Sequence, residues 1–167
     1  MWATIAAEAS AESRLWGDAL KRTPAEEPVF SPLAGERFRL GLETIYEGYL
    51  VHYGTPRLFQ PPDDDTALLL GDYLYAHGLV RIADDVDAVA DLSELISLCS
   101  QLRAENAEGD GALWAATAAL LGRGMLDEPR AALRLRGDPS PLDAAARAAA
   151  GDEPVDTALA AHAGRVR

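Results

Sequence analysis

The sequence predicts an all-α fold, an antiparallel bundle of about six to eight helices. Apolar residues make up 49% of the 167 residues, with Ala and Leu abundant and Val and Ile sparse, a composition that favours helices over a large sheet. Apolar positions recur at spacings of three and four in several segments, the period of a helix with one buried face. We predict a helical core domain over residues 1–124 and an Ala-rich, proline-broken tail over residues 125–167 that packs on the same domain.

The first half of the chain contains two predicted helices separated by a proline-rich loop. Residues 1–20 form the first, which carries two tryptophans and several aliphatic residues. Three prolines between residues 24 and 32 prevent the helix from continuing. The second predicted helix, residues 37–53, places Leu42, Ile45 and Tyr49 on one inward stripe and ends at Gly54.

A third helix is predicted over residues 66–83 and should be the most buried helix of the fold. Three consecutive aspartates, residues 63–65, precede it. Carboxylates at this position can cap free backbone N–H groups and complement the helix dipole, and a metal site is the alternative role of the triplet. The helix itself is apolar on nearly every side, which is typical of a helix with neighbours all round.

The remaining predicted helices are shorter or more one-sided. Residues 86–105 carry a single apolar stripe that includes Cys99, and residues 112–121 form a compact helix closed by Gly122. Four prolines divide the rest into short Ala-rich pieces.

Charge and composition exclude several classes of function. The formal net charge of −12 argues against binding to nucleic acid or to an anionic membrane surface, since both depend on positive charge. No apolar run approaches the ~20 residues of a membrane-spanning helix, and the first ten residues lack the pattern of a signal peptide. A single cysteine allows no internal disulfide. We therefore expect a cytoplasmic protein with no membrane insertion.

The stretch GTPRLFQPPDDDTALLLGDYLYA, which begins at Gly54, resembles the G-x-P … L-x-G-D-Y-L signature of the trans-prenyl diphosphate synthases. Pro56 precedes Gly71 by 15 positions, the interval typical of that family. The resemblance implies a shortened isoprenoid synthase fold. Counting back from Pro56, the aspartate-rich D-D-x-x-D motif of the family falls on residues 43–47, and its arginine pair falls on His52 and Tyr53.

The resemblance implies a degenerate diphosphate site in this chain. Glu43, Thr44 and Glu47 stand at the aspartate-rich motif. Glu43 and Glu47 emerge on one helix face because they are four residues apart, and two carboxylates can hold one Mg²⁺. A solvated acidic helix face is the alternative for this pair. We expect the helix of Glu43 to pack antiparallel beside the helix of Asp72, with both glutamates opening towards a cavity.

Four further residues are candidates for the lining of that cavity. His52 and Tyr53 stand at the positions of the arginine pair, and Gln101 lies near the G-Q of the family. Asp72 lies inside the apolar third helix, where a carboxylate needs a partner. A tyrosine or Arg81 is the expected partner if the role of Asp72 is structural.

Three hypotheses for function follow. The first is a non-catalytic, isoprenoid-synthase-like protein, such as the small or regulatory subunit of a heteromeric prenyl diphosphate synthase, with no cofactor of its own. The second is a reduced Mg²⁺-dependent prenyltransferase or diphosphate-binding enzyme that uses Glu43 and Glu47. The third is a helical interaction module of unrelated function. In the first case we expect a homo-oligomer or a heteromer with a catalytic prenyl synthase, because apolar surface should remain uncovered.

Overall fold

The computed structural model describes residues 1–166, and within that range the fold is all-α, as predicted. The helices are α1 (Trp2–Glu12), α2 (Arg14–Asp18), α3 (Arg39–Tyr53), α4 (Asp64–Val80), α5 (Val86–Ala104), α6 (Asp110–Leu120), α7 (Asp127–Arg136), α8 (Ser140–Ala150) and α9 (Asp152–Ala163), with short 3₁₀ turns at Ser31–Leu33 and Glu36–Phe38. These nine α-helices exceed the predicted range by one. The first predicted helix divides at Ser13, whose extended backbone ends α1 and whose side chain accepts a hydrogen bond from the N–H of Leu15 to cap α2.

Helices α3 and α4 form an antiparallel pair in close contact, also as predicted. Gly41 near the start of α3 lies against Gly78 near the end of α4, and Gly48 lies against Gly71. A Cβ atom added at Gly78 would come within 2.2 Å of Ile45 Cγ1. Glycine at these positions therefore lets the two backbones approach more closely than any larger residue would permit.

The most buried helices are α3 and α6, not α4, so that prediction is wrong. All residues from 41 to 51 and from 113 to 121 are buried. In α4 only four residues are buried, while Leu69 is 57% exposed and Val80 is 71% exposed. The physical reason is the position of α4 at the edge of the bundle. Helix α3 covers one side and α1 with α2 covers another, but nothing among residues 1–166 covers the outer side.

The tail packs against the core through small side chains. Helix α8 lies along α6 with Leu142 and Ala146 fully buried, and Val155 of α9 is fully buried as well. An ion pair between Arg130 of α7 and Asp91 of α5, 2.9 Å apart and nearly inaccessible to solvent, joins the tail to the preceding half. Alanine allows this close helix contact because its side chain projects so little.

None of the helices described over residues 1–166 combines the length and the apolar character needed to cross a membrane.

Candidate functional site

Glu43 and Glu47 lie on one face of α3 and meet a third charged residue, Arg57. All three side chains are fully inaccessible to solvent. Arg57 Nη1 donates to Glu43 Oε2 at 2.5 Å, and Arg57 Nε donates to Glu47 Oε2 at 3.0 Å. A single guanidinium thus bridges the two carboxylates. We call Glu43, Arg57 and Glu47 the buried ion triad.

The other oxygen of each glutamate accepts backbone hydrogen bonds. Glu43 Oε1 accepts from the N–H groups of Val29 and Ser31, at 3.1 and 3.0 Å. Glu47 Oε1 accepts from the N–H groups of Arg57 and Leu58, at 2.8 and 2.7 Å. These N–H groups lie in two segments outside the α-helices, where no helical carbonyl oxygen accepts from them. The triad therefore satisfies buried backbone donors and holds both segments against α3.

The guanidinium of Arg57 is also flanked by aromatic rings. Its central carbon lies 4.5 Å from the Trp2 ring centre and 4.9 Å from the Tyr46 ring centre. Burial alone would lower the pKa of Arg57, but Glu43 and Glu47 together raise it above the ordinary value. The arginine is therefore a permanent cation, stabilised by two carboxylates and two aromatic faces.

The two glutamates do not open towards a cavity, which corrects the sequence-based expectation. The charge pattern of α3 alone did not reveal that Arg57, ten residues beyond Glu47, would turn back onto the same face. The arrangement does not fit Mg²⁺ either, because a guanidinium already stands between the two carboxylates. Among residues 1–166 no three His, Cys, Asp or Glu side chains are grouped as a metal site would require. A metal role for Glu43 and Glu47 stays a prediction that these contacts do not favour.

Thr44, the third residue at the aspartate-rich position, is also buried. Its hydroxyl donates to the carbonyl oxygen of Leu40, one turn earlier in α3, at 2.7 Å. This back-bond satisfies the hydroxyl inside the helix and gives Thr44 a local role.

His52 and Asp72 lie together across the contact between α3 and α4. His52 Nε2 is 3.4 Å from Asp72 Oδ1, with the imidazole mostly buried and the carboxylate 66% exposed. Burial lowers the pKa of His52, and Asp72 offsets part of that shift. Asp72 thus has a histidine as its partner instead of the predicted tyrosine or Arg81. Arg81 instead forms an ion pair with Glu8 of α1.

Tyr53 contacts His52, with ring centres 5.6 Å apart, but it faces a different surface from the buried ion triad, and Gln101 is separated from the other candidates. Tyr53 donates to Ser100 Oγ at 3.3 Å and lines an open groove of about 510 Å³ between the end of α3 and the end of α5. Gln101 is exposed on α5 and is not part of the lining of this groove. The structure therefore brings together Glu43 with Glu47 and His52 with Asp72, but it does not bring the candidates into one site.

A second, partly buried polar network joins α3, α5, α6 and α9 and was not predicted. Asp110 at the start of α6 accepts from the hydroxyl of Tyr49 and from Arg103 Nη2, and its Oδ2 lies 3.2 Å from His162 Nε2. On the other side of the imidazole, Nδ1 lies 2.9 Å from the Tyr46 hydroxyl. We call these five residues the Asp110 network.

The hydrogen-bond geometry of the Asp110 network indicates which atoms donate and which accept. Burial opposes ionisation of Asp110, yet hydrogen bonds from His162 and Tyr49 hold its pKa well below the usual range. An ionised carboxylate only accepts, so His162 Nε2 carries a proton, and in the neutral tautomer Nδ1 accepts from Tyr46. Burial is also the main reason that the pKa values of Tyr46 and Tyr49 lie above their usual range. Both hydroxyls therefore stay protonated and act as donors.

The order of hydroxyl, imidazole and carboxylate resembles a catalytic relay, but its hydroxyl and imidazole are buried, and only the Asp110–Arg103 end is partly exposed, at 13% and 19%. Tyr46 is fully buried and His162 nearly so. Rings of Phe30, Tyr49 and Trp114 surround the pair, with Phe30 centred 5.3 Å from the imidazole and 5.6 Å from the Trp114 ring. The network joins α9 to α3 and α6 across 116 residues of sequence. Its position supports a structural role in closing the bundle.

The sequence predicts neither the buried ion triad nor the Asp110 network. Arg57 precedes the apolar Leu58 and Phe59, but no local pattern indicates that its own side chain turns inward, and His162 lies in an Ala-rich segment without a motif. The one usable signal was Tyr49 on the predicted inward stripe of α3, since buried tyrosine hydroxyls require partners.

No protein-family model, no curated protein and no solved structure matches this chain. The resemblance to prenyl diphosphate synthases therefore stays an expectation drawn from the sequence, chiefly from the G-x-P and L-x-G-D-Y-L residues between Gly54 and Leu74.

Proposed function

We propose that this protein is a non-catalytic, isoprenoid-synthase-like helical subunit that acts in the cytoplasm by binding another protein. A heteromer with a catalytic prenyl diphosphate synthase is the functional assembly, and a homodimer is the simpler one. The subunit needs no cofactor of its own. The observation that carries the proposal is the uncovered outer side of α4, a helix whose residues are apolar on nearly every side.

The outer side of α4 has the composition of an interface. Leu68, Leu69 and Val80 are each more than half exposed, and Ala76 lies exposed between them. Large aliphatic side chains that line up on one helix in solvent usually mark a contact surface, whereas isolated ones need no explanation. Covering this surface would complete the set of neighbours that the sequence of α4 indicates.

The non-catalytic part of the proposal is supported by the buried ion triad. In the prenyl synthase reaction a diphosphate leaves with its electrons, and cations must stabilise the developing charge. In this chain the carboxylates at the aspartate-rich position bind Arg57, while His52 and Tyr53 replace the cationic pair. The residues at the position of the motif thus stabilise the fold of this chain.

Two measurements on the purified protein test the proposal. Incubation with Mg²⁺, isopentenyl diphosphate and an allylic diphosphate should give no elongated product. Light scattering at micromolar concentration, either of the protein alone or after co-expression with a catalytic prenyl synthase of the same organism, should show a particle larger than the 17.8 kDa chain. Product formation that Glu43→Gln abolishes would contradict the non-catalytic assignment. A monomer that binds no synthase would contradict the subunit assignment.

A further inference from the structure

The outer side of α4 contains one charged residue among its apolar ones. Leu69, Asp72, Ala76 and Val80 follow one another at spacings of three and four, so they share one face. All four are exposed, and the Asp72 carboxylate is 66% exposed. We call these four residues together with Leu68 the α4 outer face.

A partner that covers the α4 outer face must also cover Asp72. Asp72 lies between Leu69 and Ala76, and its polar neighbour in this chain is the imidazole of His52, whose Nε2 is 3.4 Å from Asp72 Oδ1. Removing a carboxylate from water without a cationic partner is strongly unfavourable. A complementary surface therefore presents a Lys or Arg at this point, where an ion pair also fixes the register of the two helices.

A second copy of this chain does not meet that requirement. Asp72 lies near the middle of the face, so a two-fold dimer centred there would bring Asp72 close to Asp72 of the other copy. Each copy also carries a formal charge of −12, and the exposed aspartates at residues 63–65 flank one end of the face. Like charges at the centre and at the rim oppose such a dimer.

We propose that the α4 outer face binds a basic amphipathic helix of a different protein. The apolar side of that helix covers Leu69 and Val80, and one of its Lys or Arg side chains pairs with Asp72. This inference rests on the proposed function, since it specifies the chemistry of the partner. Helix-in-groove recognition of this kind uses apolar anchors at the spacing of helix turns, with charges that select the partner.

Two synthetic helical peptides can test the inference with the 167-residue chain. Both carry the same Leu and Ala stripe; one has Arg and Lys beside the stripe and the other has Glu and Gln. Fluorescence anisotropy at low and at physiological salt measures the Kd of each. We expect the basic peptide to bind the wild type at least about tenfold more tightly than the acidic one.

Matched variants distinguish binding at the α4 outer face from general attraction between a basic peptide and an acidic protein. Leu69→Gln should weaken binding of the basic peptide by about fivefold or more, and Asp72→Asn should reduce the preference for the basic peptide by a similar factor. The controls are Leu135→Gln on α7, where Leu135 is 76% exposed, and Asp87→Asn at the exposed start of α5. Each control should change the Kd by less than about twofold.

Several results would overturn the inference. Equal effects of Asp72→Asn and Asp87→Asn would mean diffuse attraction to an acidic protein, and an unchanged Kd for Leu69→Gln would place binding elsewhere. A dimer of the protein alone that Leu69→Gln dissociates would identify a second copy as the occupant. A complex with the catalytic synthase that survives Leu69→Gln would reject this surface but keep the proposed function. Failure to form any complex would reject the proposed function itself.

Discussion

Replacing Arg57 by methionine tests whether the buried ion triad stabilises the fold. Methionine keeps much of the side-chain volume but leaves Glu43 and Glu47 facing each other without a cation, in a region that solvent does not reach. Removing one partner of a buried ion pair typically costs about 3–5 kcal/mol. One guanidinium here serves two carboxylates and two aromatic rings, so we expect a loss of at least this size.

Such a loss is a large part of the roughly 5–15 kcal/mol that stabilises a typical domain. Urea unfolding followed by circular dichroism at 222 nm measures it as the change in the free energy of unfolding. The matched control is Arg134→Met, which breaks a half-exposed pair with Glu94 at 2.6 Å. Exposed pairs contribute only about 0–1 kcal/mol. A similar small loss for both variants would refute the argument.

A triple variant identifies the cause of the loss. Combining Arg57→Met with Glu43→Gln and Glu47→Gln removes all three charges, and the amide oxygens can still accept the backbone hydrogen bonds. If unpaired charge dominates, the triple variant regains part of the stability lost in Arg57→Met, since neutral groups cost less to bury. If the triple variant is as unstable as the single one, lost packing against Trp2 and Tyr46 is the main cause.

Three further predictions concern packing and pH. Gly78→Ala should lower the free energy of unfolding by about 1–3 kcal/mol because the new methyl group meets Ile45 Cγ1 at 2.2 Å. Gly35→Ala, whose Cβ would lie 3.8 Å from Phe38 Cδ2, should change it by less than about 1 kcal/mol, and equal effects would contradict the close contact of α3 and α4. The pKa of Asp110 is depressed in the folded state. The stability that the ionised carboxylate contributes is therefore complete above the unfolded pKa of about 3.9 and is lost as the pH falls towards the folded value. Between about pH 5 and pH 3, urea titrations should therefore show that the free energy of unfolding falls less for Asp110→Asn than for the wild type. The pKa of His52 is lowered by burial, so as the pH falls the unfolded chain binds a proton at this residue before the folded chain does. The free energy of unfolding should therefore decrease below about pH 6.5, and a wild-type pH profile of this free energy that matches that of His52→Gln would contradict the prediction.

The sequence by itself determined the fold class and the approximate bounds of α3, α4, α5 and α6. The predicted start at the three aspartates is confirmed, since Asp63 accepts from the N–H of Thr66 at 2.7 Å and caps α4. The predicted end of α3 at Gly54 is confirmed as well. These features were predictable because caps, glycines and apolar periodicity act within a few residues of the chain. The antiparallel packing of α3 and α4 was also predicted, from the resemblance of their motifs.

Only the tertiary structure decided which faces are buried and which charges are paired. The apolar sequence of α4 predicts neighbours on most sides but not whether this chain supplies them, and among residues 1–166 one side of α4 is left uncovered because the helix lies at the edge of the bundle. Two glutamates four residues apart have the same local sequence whether water or a guanidinium faces them. The contacts that decide, Arg57 with Glu43 and Tyr46 with His162, join residues 14 and 116 positions apart. Burial and ionic pairing are set by such distant neighbours, so the local sequence does not contain them.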